Sequence, residues 1–375
     1  MVNIPVSSPS VGEREIQYLS DCIKSGWVSY GGKHVSEFEN KFAEFCGVKY
    51  GASTNSGTTA LHLALATAKI GPGDEVIIPT FTMVATANAV SYTGAKPVLV
   101  DSELDTWNMD ASQLEEKITR RTRAIIAVHT YGHPADMEAI SEVANRHNLI
   151  VIEDAAEAHG AECKGKRTGS LGDMACFSFY ANKIITTGEG GMIVSDTPQF
   201  IERAKWLRAH AFGKEGKHFW HEEIGFGYRM SALQAAVGLA QLERIDEFVQ
   251  KRRDSAKLYN TLLSDLKGVI LPPEADWAKN VYWMYSIRIG QQLGLSRDDL
   301  MAKLSSRGIE TRTFFFPIHR QPAYSHLYQD EKYTQADELS ASGMNLPSGN
   351  SLSEDEIRYV CDCIVKQKKS LVVPT

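Results

Sequence analysis

Long apolar runs are missing from this sequence. No stretch reaches the ~18 consecutive apolar residues that a bilayer-crossing helix needs. The opening residues, Met1-Val2-Asn3-Ile4-Pro5, lack a basic segment followed by an apolar one. The expectation is a cytoplasmic protein without membrane contact. Concentrated positive charge is missing as well: 40 Lys and Arg stand against 46 Asp and Glu, for a net charge of −6. A nucleic-acid partner calls for a basic surface, and none is foreseen. The two basic runs, Arg120-Arg121-Thr122-Arg123 and Lys251-Arg252-Arg253, read as solvated faces. The 6 cysteines are scattered, and Cys361-Asp362-Cys363 has neither the gap of a structural zinc pair nor an answering pair of histidines. Reduced thiols and no metal follow. Trp220-His221-Glu222-Glu223 lacks the second histidine of a zinc-protease helix. There is no Gly-x-Gly-x-x-Gly after the first strand and no Walker loop, which sets nicotinamide and nucleoside-triphosphate chemistry aside.

What is present is a strand–helix rhythm. A chain of 375 residues exceeds what one simple core serves, so two domains are expected. Helical spacing covers 12–25, ending at Gly26, and 34–45, with Phe38, Phe42 and Phe45 on one side. Short apolar strands then follow at 50–54, 75–78, 96–100, 124–129 and 149–153. Helices are predicted between them at 60–68, 85–92 and 137–147. Strands this apolar belong to a parallel sheet with helices on both faces. Near residue 245 the rhythm changes. A long charged helix over 233–263 leads to a strand at 282–289 and helices at 296–306 and 353–368. The predicted architecture is α/β: a large domain over 1–245 and a smaller α+β domain over 246–375.

The chemistry concentrates at two strand ends. Leu149-Ile150-Val151-Ile152-Glu153-Asp154 delivers an aspartate at the carboxyl end of a buried strand, where open α/β sheets bind ligands. Lys183 comes 29 residues later, after the strand-like Cys176-Phe177-Ser178-Phe179 and before the turn Gly188-Glu189-Gly190-Gly191. Pyridoxal 5'-phosphate needs such a pair: a lysine to bind its aldehyde and an anion to keep its ring nitrogen protonated. Lys183 then has the roles of nucleophile and general base, and Asp154 that of nitrogen partner. Asn55-Ser56-Gly57-Thr58-Thr59-Ala60 lies between a strand and a helix, so its N–H groups can face the phosphate, and Gly57 allows close approach. Ser178, five residues before the lysine, can add its hydroxyl. Taken one at a time these features are ordinary helix starts, caps and solvated lysines. Their order on one strand pattern makes the combination specific.

At these residues the chain resembles the DegT/DnrJ/StrS sugar aminotransferases, and within them it looks closest to the GDP-perosamine synthases. The resemblance runs from Gly26-Trp27-Val28-Ser29 to Asn345-Leu346-Pro347-Ser348. It rests on Asn55-Ser56-Gly57-Thr58-Thr59-Ala60-Leu61, Gly73-Asp74-Glu75-Val76-Ile77, Glu153-Asp154-Ala155-Ala156-Glu157-Ala158 and Gly188-Glu189-Gly190-Gly191. Tyr228-Arg229-Met230, and Arg312 with Pro317 and His319, complete it. The resemblance implies the fold-type-I, aspartate-aminotransferase-like architecture and Lys183 as the Schiff-base lysine. It further implies Asp154 on the pyridinium, Glu157 near the ring oxygen where many relatives have glutamine, and Gly57, Thr58 and Ser178 on the phosphate. It places Met83 at the ring-stacking position, usually aromatic, where a thioether can still pack on a ring. Gly227 stands where relatives carry an asparagine that helps bind the phosphate across a subunit interface. The resemblance also implies a homodimer with shared sites, toward which Tyr228 and Arg229 reach, and a substrate region that includes His319.

The activity implied is a two-step transamination: glutamate gives up its amino group, and a keto-sugar takes it. The first choice of acceptor is a nucleotide-linked 4-keto-6-deoxysugar, such as GDP-4-keto-6-deoxymannose, for surface polysaccharide such as lipopolysaccharide O-antigen. A free oxidised sugar acid of the 8-oxo-3-deoxy-octulosonate type is the alternative, given Gly227 and Met83. A sugar dehydratase is disfavoured because the dehydratases of this family replace the lysine with histidine. A non-catalytic regulator could lose Lys183 or Asp154, and both are present.

Overall fold

In the structure, a computed structural model that describes residues 3–213 and 219–369, the apolar runs of the first half become one sheet. Its strands begin with β1 (Tyr50–Thr54), β2 (Glu75–Pro79), β3 (Lys96–Val100), β4 (Thr122–Val128) and β5 (Ile150–Asp154). After a short hairpin, β6 (Glu162–Cys163) and β7 (Lys166–Arg167), come β8 (Met174–Ser178) and β9 (Gly191–Ser195). The order across the sheet is β1-β9-β8-β5-β4-β2-β3. From β8 to β3 the strands are parallel, and β9 runs antiparallel to both β1 and β8.

Successive side chains on a strand point to opposite faces, and the two faces enter separate cores. Ile77, Ile125, Ala127 and Val151 pack with Met137, Ile140 and Val143 of the helix Met137–His147. Val76, Ile78, Ala124, Ile126 and Ile152 join a larger core with Phe38 and Phe42 of the helix Lys33–Cys46. Burial on both faces is why these strands carry so few polar residues.

The second half differs from the sequence reading in two places. The helix expected over 233–263 is two helices, Ala232–Leu242 and Ile245–Leu263, separated at Arg244, whose φ is −116°. The first is buried among Ala and Leu beside the helices Glu13–Ser25 and Lys33–Cys46. The second packs on the C-terminal helix Glu354–Lys369. One straight helix cannot serve both directions. Arg252, read as part of a solvated charge run, is instead 3% exposed. Two turns into an amphipathic helix, its position faces inward whatever its neighbours do; Lys251 is exposed as expected.

Beyond the helix Ile245–Leu263 come β10 (Val269–Ile270), β11 (Ala278–Lys279), β12 (Tyr285–Ile289), β13 (Arg312–Thr313) and β14 (Gly343–Leu346). An antiparallel sheet of order β10-β12-β14-β13 has its own core with the helices Arg297–Ser305 and Glu354–Lys369, while β11 pairs with β6. All six cysteines are buried, and none is in a disulfide. Among the described residues no group of side chains is arranged to hold a metal ion, and no helix is long and apolar enough to cross a membrane.

Candidate active site

Parallel strands end at the same edge, and the candidate residues collect there. Thr54, at the end of β1, pairs with Gly191, which also pairs with Ser178 at the end of β8; Asp154 at the end of β5 pairs with Val128. Gly191 has no room for a side chain, since a Cβ there would stand 2.3 Å from the Ser56 carbonyl oxygen. The glycine-rich turn is therefore a packing requirement for bringing β1, β8 and β9 together.

Strand alternation separates two adjacent acids. Glu153 turns into the protein, accepting the N–H groups of Gly169, Leu171 and Gly172 and meeting His129 Nε2 at 2.9 Å. Asp154 turns the other way and lines a cavity. It is 6% exposed, and its hydrogen bonds come from neutral groups, Thr86 Oγ1 at 2.7 Å and the Ala156 N–H at 3.3 Å. Burial holds its carboxyl above the usual aspartate range.

Lys183 follows β8 through a turn closed by its own N–H on the Tyr180 carbonyl at 2.9 Å. Its Nζ stands 3.9 Å from Glu157 Oε1, the outer limit of an ion pair, and 3.7 Å from the centroid of the Trp283 ring. Glu157 Oε2 accepts the Tyr131 N–H at 2.8 Å. Burial lowers the lysine's pKa and raises the glutamate's, so both are pushed toward their neutral forms. A lysine whose pKa is lowered by burial is the better nucleophile.

The helix Gly57–Thr67 begins beside Ser178. Ser56 caps it, its Oγ accepting the Thr59 N–H at 3.2 Å and its carbonyl accepting the Ala60 N–H at 3.0 Å. Among the described residues the N–H groups of Gly57 and Thr58 have no such partner. They open on the cavity with the Ser178 hydroxyl, where the helix dipole favours an anion.

The cavity is about 440 Å³. Seven of the residues singled out in the sequence line it: Gly57, Thr58, Met83, Asp154, Glu157, Ser178 and Lys183. Three do not. Tyr228 bonds His62 Nδ1 at 3.1 Å and stacks on Phe226, Arg229 lies over the Tyr30 ring at 4.1 Å, and His319 is buried between Thr80 Oγ1 at 2.8 Å and Asp337 Oδ1 at 3.1 Å. Trp283, Tyr131, Arg312 and Asn345 also line the cavity without having been named as site residues. Arg312 and Asn345 stand in segments that carried the resemblance, and Tyr131 leaves a local sign, a Tyr-Gly step just after a strand, where it takes a φ of +52°. Trp283 lies 100 residues beyond the lysine, and nothing local in the sequence marks it.

These residues fit pyridoxal phosphate. A buried carboxylate with only neutral partners suits a protonated ring nitrogen, an unfilled helix start beside a serine hydroxyl suits a phosphate, and a buried lysine lines the same cavity. Comparison with known proteins agrees. The model of the DegT/DnrJ/EryC1/StrS aminotransferase family matches residues 9–365. GDP-perosamine synthase of Caulobacter vibrioides is 46% identical over 358 residues, covering 95% of this chain and 96% of that protein. GDP-perosamine synthase of Escherichia coli O157:H7 is 44% identical over 364 residues, covering 97% and 98%. The crystal structure of an aminotransferase, TlmJ from Streptoalloteichus hindustanus, superposes with a TM-score of 0.92 at 31% identity, covering 99% of this chain and all of that one. The fold is that of the fold-type-I pyridoxal-phosphate transferases. The chain belongs to the DegT/DnrJ/EryC1/StrS aminotransferase family and is a pyridoxal-phosphate-dependent sugar aminotransferase.

Proposed function

We propose that this enzyme moves the amino group of glutamate to a nucleotide-linked 4-keto-6-deoxysugar, GDP-4-keto-6-deoxymannose being the first candidate, in the cytoplasm and for surface polysaccharide such as O-antigen. The observation that carries the reading is the convergence of Lys183, Asp154 and the Gly57–Ser178 cradle on one cavity. The perosamine synthases at 46% and 44% identity support the choice of sugar.

In this reading Gly57, Thr58 and Ser178 hold the cofactor's phosphate, Met83 packs on its ring, and Glu157 lies by the ring oxygen. When bound there, pyridoxal phosphate supplies an electron sink for the carbon that loses its proton. Asp154 keeps a positive ring nitrogen in place, which its burial makes worthwhile only with that charge beside it. Lys183 would hold the cofactor through its Nζ, and that amine is the group that would take a proton from the donor's α-carbon and deliver one to the sugar carbon. Arg312, 43% exposed at the cavity wall, is suited to an anionic group of donor or acceptor. Tyr228 and Arg229 serve the cavity of a second copy in a homodimer. Their exclusion from their own chain's cavity supports this, as do the exposed Trp27 and Tyr30 nearby. His319 acts at the substrate region through Thr80. A second core, built mainly from residues 256–364, supports a division near residue 245 into a cofactor-binding domain and a smaller domain, while Trp283, Phe314 and Tyr333 of the later residues pack in the large core.

The test is keto-acid release from glutamate with a panel of GDP-, UDP- and dTDP-4-keto-6-deoxysugars beside an oxidised octulosonate. Turnover with a GDP-sugar is the expected result. Turnover confined to the free sugar acid would overturn the substrate and keep the aminotransferase.

A further inference from the structure

The carbonyls of the two residues next to Lys183, Asn182 and Ile184, are held by side chains from the second half of the chain. The Trp283 indole N–H donates to the Asn182 carbonyl at 2.9 Å, and the Asn350 amide donates to the Ile184 carbonyl at 3.2 Å. One guanidinium ties these two together. Arg252 donates Nε–H to Asn350 Oδ1 at 2.9 Å, and Nη1–H to the carbonyls of Ser348, at 2.9 Å, and of Trp283 itself. Arg252, Trp283 and Asn350 are all buried. Each of these acceptors is neutral, and a buried cation without a carboxylate is costly where an apolar side chain would fill the same space. Packing alone gives no reason for an arginine there.

We propose that Arg252, Trp283 and Asn350 are positioning residues for Lys183, gripping the carbonyls on either side of it and keeping its amine against the indole face. The proposal rests on Lys183 being the cofactor-bearing lysine. It brings a consequence for charge. Beside burial, the charges acting on the amine are the carboxylates of Glu157 and Asp154, which raise its pKa, and the guanidiniums of Arg252 and Arg312, which lower it; His159 in turn feels the lysine. Arg312 is partly exposed and its field is screened; Arg252 is buried and its field is not. Arg252 therefore adds to burial in holding the lysine's pKa below its ordinary value.

The experiment reads Lys183 itself. Full-length protein stripped of cofactor is treated with a water-soluble acylating reagent across a pH series, and labelling of the Lys183 peptide is followed by mass spectrometry. Arg252→Met is expected to raise the midpoint of labelling by about half a unit to one unit, as loss of a nearby like charge does. Arg252→Lys, which keeps the charge and loses the fork, is expected to restore the midpoint. Asn350→Ala removes no charge; it should leave the midpoint in place and lower kcat by about tenfold or more through misplacement, with KM little changed. A folded Arg252→Met protein that labels with the wild-type midpoint overturns the proposal, as does an Asn350→Ala protein with wild-type kcat. Should Arg252→Met fail to fold, the Asn350→Ala result decides. Borohydride trapping of the cofactor in the wild type is the separate control. If the cofactor is trapped elsewhere than on Lys183, the assignment of the lysine fails, and the labelling series distinguishes that outcome from failure of the clamp.

Discussion

Gly57→Ala tests the phosphate cradle with a single carbon atom. A Cβ at this position would stand 2.7 Å from Ser178 Cβ, 3.2 Å from Ser178 Cα and 3.1 Å from Ser178 Oγ. Carbon atoms in contact settle at about 3.5–4.0 Å, so the helix start must move away from β8 by most of an ångström. Neither side yields easily: Ser178 is 8% exposed at the end of a central strand, and one of its contacts is backbone. Overpacking of this kind costs about 1–3 kcal/mol. Alanine in a helix returns about 0.5–1 kcal/mol over glycine. The net expectation is a loss of about 0–2.5 kcal/mol, centred a little above 1, in the stability of the cofactor-free protein. The loss in cofactor affinity should be larger. Retreat of the helix spoils at least one charge-assisted hydrogen bond to phosphate, about 1.5–3 kcal/mol, or roughly 10- to 100-fold in Kd. Thermal melting and a cofactor titration followed by tryptophan fluorescence measure the two effects. Adding Ser178→Gly removes the clashing Cβ, so it should restore the melting temperature without restoring affinity, because the hydroxyl goes with it. Unchanged stability and affinity in Gly57→Ala would refute the reasoning, and so would a double variant no more stable than the single one.

Lys183→Ala should abolish the absorbance that depends on the covalent link while the phosphate cradle still binds cofactor. Loss of its proton transfer alone should lower turnover by about 10²–10⁴-fold, checked by single-turnover kinetics. Asp154→Asn should make the cofactor-free protein more stable and the enzyme less active. The carboxyl's folded pKa lies above its unfolded value, so ionisation penalises the fold at neutral pH and not below about pH 4, where both states are protonated. The stability gain of the variant should accordingly fade in acid melts. His159 is wholly buried among Phe42, Phe177 and Phe179, and burial draws its pKa down to about 3. The unfolded chain takes up this proton first, so stability falls as pH drops below about 6.5, by about 1 kcal/mol per pH unit from this group. His159→Phe should flatten that part of the profile in urea melts, and a difference between the two proteins that is constant with pH would contradict it.

Much of the molecule was legible because its signals are local. The predicted strand at 96–100 and helix at 137–147 match Lys96–Val100 and Met137–His147, since apolar runs between turn residues leave few other conformations. The strand ending in Asp154, the Gly57 turn and Lys183 were readable for a related reason: one cofactor needs those groups in that order along a parallel sheet. The break at Arg244 was not readable, because residues on both sides favour helix and only the direction of packing interrupts them. The inward turn of Arg252 was hidden in a basic triplet whose first member is exposed.

From the sequence alone came the chemistry, an acid and a lysine delivered at strand ends, together with the sheet class that delivers them. The tertiary structure decided what the neighbouring acid does: Glu153 is turned inward onto the N–H groups of Gly169, Leu171 and Gly172. It also decided that Trp283, Arg252 and Asn350 meet around Lys183 from distant parts of the chain. Local patterning reports what a residue does with its near neighbours. Whether a buried charge is answered, and by what, depends on contacts that exist only once the second half of the chain has packed against the first.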